Sequence, residues 1–127
     1  MPFSDFEIIY SYTRAQALDD GVLVDISAAA REYGFKLPTA VTDNLFHGHV
    51  VPPEGLEGEG QSVEGRLHDL LSLAMIAARR GMNHNRVEFE VLFLMRPGGR
   101  EKVTVILHVG PGDQGEAVLT LMLPGDE

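Results

Sequence analysis

The chain has 127 residues, a net charge of −9 and no cysteine. Its length is typical of one domain, and a hydrophobic content of 44% is sufficient for a single buried core. The lack of cysteine excludes disulfides and a thiolate nucleophile, and the acidic balance argues against direct nucleic-acid binding, which needs clustered lysine and arginine.

The N-terminal sequence and the lengths of the apolar segments indicate where in the cell the protein is located. The opening MPFSDFEIIYSYTR carries acids before a short apolar run and has no basic lead, unlike a signal peptide. No segment reaches the roughly 18 consecutive apolar residues of a membrane span. We therefore expect a cytoplasmic protein with no membrane partner.

The first part of the chain is predicted to alternate short strands and short helices. The expected elements are, in chain order, a strand at 6–12, a helix at 14–20, a strand at 22–26, a helix at 28–33 and a helix at 39–46. Thr13 and Ser27 are suitable N-caps for the first two helices, and Gly21 and Gly34 follow them as terminators. Pro38 permits the third helix to begin.

Residues 52–60 (PPEGLEGEG) combine prolines, glycines and glutamates. We predict a mobile acidic loop inside a single domain that spans residues 1–127, because the chain is too short for two cores. Its carboxylates, Glu54, Glu57 and Glu59, are the candidate contacts for a basic partner. At the other end of the chain, residues 124–127 are expected to fray.

The segment 62–81 is the longest apolar stretch and is predicted to be the central helix. One helical face is formed by Val63, Leu67, Leu70, Leu71, Ala74 and Ala78. Further apolar residues widen this face, so we expect burial around most of the helix; they are Leu73, Met75, Ile76 and Ala77. Gly81 is the expected terminator.

Three alternating strands follow, at 86–95, 102–109 and 117–123. Because short turns join them, the predicted fold is α+β: a three-stranded antiparallel C-terminal meander packed on one long central helix, with short N-terminal helices and strands. The expected register of the first hairpin pairs Met95 with Val103, Phe93 with Val105, Val91 with Leu107, and Glu90 with His108. The last pair would raise the pKa of the histidine.

Two motifs suggest chemistry. His47 and His49 alternate and are the candidate metal ligands, with a third ligand expected from His84, His68 or a loop glutamate. The alternative interpretation is a solvated turn. Gly110, Gly112 and Gly115 spell GxGxxG, but a strand and not a helix should follow, which indicates a hairpin turn and no dinucleotide site. His68, on the central helix, is expected to be partly buried. No catalytic residue and no cofactor is predicted.

Three stretches carry a family resemblance: YTRAQALDDGVLVDISAAAREYGFKLPTAVT, GRLHDLLSLA and GPGDQGEAVLTLMLPGDE. They resemble a family of small uncharacterised proteins from bacteria, plasmids and phages, the domain of unknown function 6573. The resemblance covers nearly the whole chain in the same order. It implies a protein of a mobile genetic element, and it transfers no catalytic residue.

Three functions are compatible with these features. The first is a non-enzymatic acidic interaction protein that binds a host or phage protein, such as a component of host defence. The second is a small metal-dependent enzyme or binding protein that uses His47 and His49. The third is a self-associating homodimer joined through the edge of the meander or through its second apolar face. We favour the first.

Overall fold

The computed structural model describes residues 12–127, so the predicted strand at 6–12 lies outside it except for Tyr12. The elements are α1 (Arg14–Asp19), β1 (Leu23–Asp25), α2 (Ser27–Glu32), β2 (Thr39–Thr42), α3 (Asp43–Leu45), a π-helical turn (Phe46–Val50), α4 (Val63–Arg80), β3 (Arg86–Arg96), β4 (Gly99–Pro111), β5 (Ala117–Met122) and a 3-10 turn (Pro124–Asp126). None of the helices in this part of the chain combines the length and apolar character needed to cross a lipid bilayer.

The described strands form one five-stranded sheet in the order β1-β2-β5-β4-β3. All neighbouring strands are antiparallel except β2 and β5, which are parallel. The predicted α+β class is confirmed. The predicted meander is present as β3-β4-β5, but it is part of a larger sheet in which β1 and β2 extend it beyond β5.

Local capping explains where two helices begin. The Gln16 N–H donates to Thr13 Oγ1 (3.0 Å) and the Thr13 N–H donates to Gln16 Oε1 (2.8 Å), so the predicted cap of α1 is a capping box. Ser62 caps α4, since its hydroxyl accepts from the Gly65 N–H at 3.0 Å. Gly21 has a φ of +80° and ends α1 as predicted.

Ser27 is not the N-cap that the sequence suggested. It is the first residue of α2, and its hydroxyl donates to Asp25 Oδ1 (2.6 Å) while accepting from the Thr39 N–H (2.9 Å). The bond from the Ser27 hydroxyl, and a second one from its N–H, lower the pKa of Asp25. Ser27 therefore joins α2 to β2.

The predicted helix at 39–46 is wrong. Residues 39–42 (TAVT) form β2, whose Thr39, Ala40 and Val41 are buried between β1 and β5. β-Branched residues favour a strand here, and the helical turn begins only after Thr42, whose hydroxyl accepts from the Leu45 N–H. The chain then continues through the π-helical turn to Val50.

The core lies between α4 and the sheet, as predicted. Leu70, Leu71 and Ala74 have no exposed surface. The expectation that most of the helix circumference is buried is wrong, because Ile76 is 47% exposed and Val63 is 36% exposed. The sheet faces α4 with the predicted alternating residues: Val91, Phe93, Val103, Val105, Leu107, Leu119 and Leu121.

The predicted register of the β3-β4 hairpin is wrong, although its faces are correct. Val91 pairs with Val103, Glu90 pairs with Thr104, and His108 pairs with Arg86. The observed and predicted registers differ by an even number of residues, so no side chain changes face. The turn is tighter than expected because Gly98, with a φ of +69°, permits a two-residue connection, and a bulge at 94–96 follows from it.

Residues 12–127 cover the opposite face of the sheet only in part. Ile106 and Val118 are 0% and 4% exposed, whereas Leu92 on the outer strand is 56% exposed. α1 is fixed to this face by Arg14, which donates to Thr120 Oγ1 (2.9 Å) and to the Leu119 carbonyl (2.8 Å). Within residues 12–127 no helix covers Leu92, and cover of this second apolar face by another subunit stays a prediction.

The C-terminal turn is tied to the body of the protein, in contrast to the predicted fraying. Asp126 accepts from Thr42 Oγ1 and from Asn44 Nδ2, both at 2.7 Å. Burial raises the pKa of Asp126, but these hydrogen bonds and one from the Leu123 N–H outweigh it and lower the pKa. The last residues thus hold β2 and α3.

Arg66, on α4, is 2% exposed. It donates to the His49 carbonyl (2.8 Å), the Leu94 carbonyl (2.7 Å) and Gln61 Oε1 (2.9 Å), and its guanidinium lies over the Phe93 ring at 5.0 Å. Burial lowers its pKa. This side chain joins the π-helical turn, the end of the acidic loop and β3 to the central helix.

Candidate functional site

A groove lies between α4 and β3, at the edge of the sheet. One end of it is a cavity of about 610 Å³, whose floor is apolar; the floor residues are Leu73, Ile76, Ala77, Val87 and Phe89. Glu88, Glu90 and Arg80 stand around this cavity. The combination of an apolar floor and a charged rim is typical of a surface that binds another molecule.

The groove continues along the helix into a second depression of about 440 Å³. This depression shares Leu73 and Glu90 with the first, and it adds Asp69, Ser72 and Leu92. We call the two together the β3 groove. Its two most exposed apolar side chains, Ile76 and Leu92, are 47% and 56% exposed.

The β3 groove is negatively charged. Asp69, Glu88 and Glu90 are all exposed beside it. Arg86 offsets part of this charge, because its guanidinium pairs with Glu88 (3.0 Å) as well as with Glu127 (2.9 Å), and these partners raise its pKa. Arg80 lies beside the same cavity, so Asp69 and Glu90 are the carboxylates that no described salt bridge neutralises. The groove therefore favours a positively charged ligand.

β3 is also an edge strand. In the described part of the chain it pairs with β4 on one side and with no strand on the other. Every second residue of such a strand directs its backbone N–H and carbonyl away from the sheet. The groove is thus bordered by backbone groups able to form hydrogen bonds with an incoming chain.

The predicted acidic loop lies near the far end of β3. Glu54, Glu57 and Glu59 are exposed, whereas Leu56 is buried at 5% exposure and anchors the loop. Glu59 lines a depression with Leu94 and residues of the β3-β4 turn. Of the three candidate glutamates, Glu59 therefore lies beside the end of β3, in a depression that Arg100 also lines. The role of all three in partner binding stays a prediction.

The two candidate metal ligands do not converge. His47 Nδ1 lies 2.6 Å from Asp43 Oδ1, whereas the His49 ring stacks on Phe93 with a centroid separation of 5.8 Å. Residues two apart on a helical turn do not face each other. No group of three histidine, cysteine, aspartate or glutamate residues with metal-binding geometry occurs in residues 12–127.

His49 has a perturbed environment. Burial lowers its pKa, and the positive charge of Arg66 lowers it further against the opposing effect of Glu101. Its Nδ1 is buried and has no hydrogen-bond partner among residues 12–127. Both effects favour the neutral form of the ring, which packs against Phe93 as an aromatic group.

A second cleft, of about 520 Å³, lies between α2 and α4. In it Tyr33 Oη and His68 Nδ1 are 2.6 Å apart, and Glu32 and Glu64 line the sides. His68 is exposed, contrary to the predicted partial burial. Within the described residues no carboxylate hydrogen-bonds to the His68 ring, and Tyr33 is the side chain that orients it.

The predicted Glu90–His108 pair is absent. In the observed register Glu90 is opposite Thr104, and the imidazole of His108 instead lies 3.5 Å from Asn85 Nδ2. The coupling expected between this carboxylate and this imidazole therefore has no structural basis.

The glycine motif forms a hairpin, which confirms the interpretation of residues 110–115 as a turn. β5 and not a helix follows it, and the Gly112 N–H donates to the Glu116 carbonyl at 2.6 Å. Asp113, at the tip, accepts from the backbone N–H groups of Arg14 and Ala15 at 2.7 and 3.0 Å. The loop thus stabilises the start of α1.

Comparison with known proteins gave one finding. The profile of a family of unknown function (DUF6573) matches residues 1–127. No match was found among curated proteins or among solved structures. The description of the family names no activity, so function must be inferred from the surfaces of the molecule.

Proposed function

We propose that this chain, which belongs to the DUF6573 family, is a non-enzymatic acidic interaction protein that binds a basic host or phage protein. A defence component with a positively charged groove is one such partner, because its charge is opposite to that of this protein. The proposal includes a cytoplasmic location and an origin on a mobile genetic element. The observation that supports it is the concentration of negative charge on the surface.

The fold makes the surface more acidic than the composition alone implies. The chain has a net charge of −9, and two of its arginines are directed inwards. Arg66 is buried and Arg14 is partly buried against β5. Carboxylates of the acidic loop and of the β3 groove are exposed, so the protein would attract a basic partner and accelerate the encounter.

The other two functions have less support. A metal-dependent protein that uses His47 and His49 would need both rings at one ion, and their different contacts argue against this. A homodimer would bring together two copies that each carry a net charge of −9. Repulsion between them opposes association at low salt.

The proposal is tested by capture followed by reconstitution. The tagged protein retains binding proteins from a bacterial lysate, which are identified by mass spectrometry and purified. Calorimetry then measures the affinity between the two purified proteins at about 50 mM and about 300 mM salt. We expect a basic partner whose affinity falls as salt rises.

Three results would contradict the proposal. One is that no protein is retained specifically. Another is a partner that is not basic, or whose affinity does not change with salt. The third is self-association without any other partner, measured as a mass of two chains by light scattering.

A further inference from the structure

We propose that the partner binds by adding a basic β-strand to the edge of β3 that no strand of residues 12–127 occupies. This inference rests on the proposed function, since it names the surface and the chemistry of the partner's binding segment. The incoming strand would extend the sheet from five strands to six, with one of its faces in the β3 groove. Strand addition of this kind obtains affinity from backbone hydrogen bonds and specificity from alternate side chains.

The length of the free edge limits the segment. β3 is regular from Arg86 to Leu94, where the bulge interrupts the pairing. This corresponds to about 30 Å of strand. A bulge twists the edge away from further pairing, so the segment should match β3 over about nine residues and end near Leu94.

The position of α4 provides a place for one face of the segment. Among the strands, β3 is the one that α4 contacts most, so the helix lies over the edge of the sheet. A new strand would lie about 4.8 Å beyond β3. There its inward side chains would contact Leu73 and Ile76 and would cover the exposed surface of Ile76. These inward positions should be apolar.

The opposite face of the segment lies beside the residues of β3 that form the outer rim of the β3 groove. Glu88, Glu90 and Leu92 point away from α4 along β3, and all three are exposed. Cross-strand neighbours on one face interact directly, and opposite charges there are favourable. Lysine or arginine on this face is therefore favoured near the two glutamates, and the expected segment alternates apolar and basic residues.

The charge on β3 also opposes its pairing with the β3 strand of a second copy of this chain. Pairing of β3 with β3 would bring Glu88 and Glu90 of both copies onto one face of a continuous sheet. β3 contains neither lysine nor proline, the usual protection of an edge. It has Arg86 and Arg96 at its two ends, so the central Glu88 and Glu90 are the residues that oppose self-pairing in the middle of the strand. A basic strand meets no such barrier.

A peptide provides a direct test with the intact protein. The probe is a capped nine-residue peptide that alternates valine and lysine, and amide hydrogen exchange is measured with and without it. We expect slower hydrogen exchange at the β3 amides that point away from β4. We also expect changes in the NMR chemical shifts of Ile76. A peptide with a central proline keeps most of the charge but cannot complete the ladder, and it should bind about tenfold more weakly.

Matched variants link the peptide to the protein partner. Glu88→Lys/Glu90→Lys and Glu54→Lys/Glu57→Lys change the net charge equally, and all four residues are exposed. The first variant should weaken binding of both ligands about tenfold, and the second less than about threefold. Ile76→Ser, which alters no charge, should also weaken both.

The outcomes separate the two proposals. If the partner binds but only the loop variant weakens it, or if the peptide binds without new protection of β3 amides, strand addition is wrong and the proposed function stands. If no basic partner is captured while the peptide protects β3, the proposed function fails and the surface remains a strand acceptor. Equal binding of the proline peptide would contradict strand addition.

Discussion

Replacing Arg66 by methionine tests whether the buried guanidinium stabilises the protein. Arg66 is 2% exposed, and no carboxylate of residues 12–127 forms a salt bridge with it. Two effects oppose each other. Its hydrogen bonds stabilise the folded state, whereas the removal of an unpaired charge from water destabilises it. Methionine retains much of the apolar contact and removes both effects.

The hydrogen bonds should outweigh the cost of desolvation. A hydrogen bond to a charged group contributes about 1.5–3 kcal/mol after desolvation is included. Arg66 donates to two backbone carbonyls and to Gln61, at 2.7–2.9 Å, and both carbonyls would lose this donor in the variant. Because bonds from one side chain are not additive, we expect Arg66→Met to lower the free energy of unfolding by about 3 kcal/mol.

Urea unfolding followed by circular dichroism measures this change. The midpoint should fall while the slope stays constant, which indicates a change in stability and not in the unfolded state. Arg79→Met, at an exposed position of the same helix, is the control and should change stability by less than about 0.5 kcal/mol. An Arg66→Met protein as stable as the wild type would mean that desolvation cancels the hydrogen bonds.

Three further predictions concern the core, the loop and pH. Leu70→Ala should lower the free energy of unfolding by about 2–5 kcal/mol, and Ile76→Ala should lower it by less than about 1 kcal/mol, because only Leu70 is fully buried. Thermal or urea unfolding measures both, and equal losses would contradict the described core. Leu56→Ala should lower the free energy of unfolding by about 2–3 kcal/mol, because Leu56 packs the loop onto the protein, whereas Glu57→Gln should lower it by less than about 0.5 kcal/mol. A negligible loss in Leu56→Ala would mean that the loop is unpacked. NMR titration should give His49 a pKa below about 6.5, the value of an unperturbed histidine. The contribution of His49 to stability should therefore fall as pH is lowered through about 6.5. A pKa above that value would refute its described burial.

The sequence is sufficient for the elements that depend on local interactions. The spacing of apolar residues predicts α4, its N-terminal boundary at Ser62 and the strands β3, β4 and β5. Alternation within those strands also predicts which side chains face the core. These features follow from periodicities of 3.6 and 2, which short segments display by themselves.

Features that depend on distant parts of the chain are not predictable in this way. The short TAVT segment of β2 is ambiguous in isolation, and it becomes a strand only when it lies between β1 and β5. The hairpin register fails for a different reason. Alternation fixes whether paired residue numbers sum to an even number, but the turn at Pro97 and Gly98 selects among the even sums.

The buried arginine has no signal in the sequence. Arg66 precedes Leu67 of the apolar face of α4 by one residue and looks like a solvated charge at the start of a helix. Its acceptors are two backbone carbonyls, which every residue has, and a glutamine. Only the chain path that brings His49 and Leu94 to the same side of α4 creates the site.

The β3 groove forms because α4 packs on β3, which is an edge strand of the described sheet. β3 is the strand that α4 contacts most, and Ile76 of α4 remains 47% exposed beside it. The strand itself carries an exposed Leu92 between glutamates and the bulge. Negative charge on such an edge is selective protection: it repels the same strand of another copy, and it leaves the edge open to a strand that brings positive charge. An edge protected by lysine would repel a basic partner, so the sign of the protecting charge indicates which partner the edge can accept.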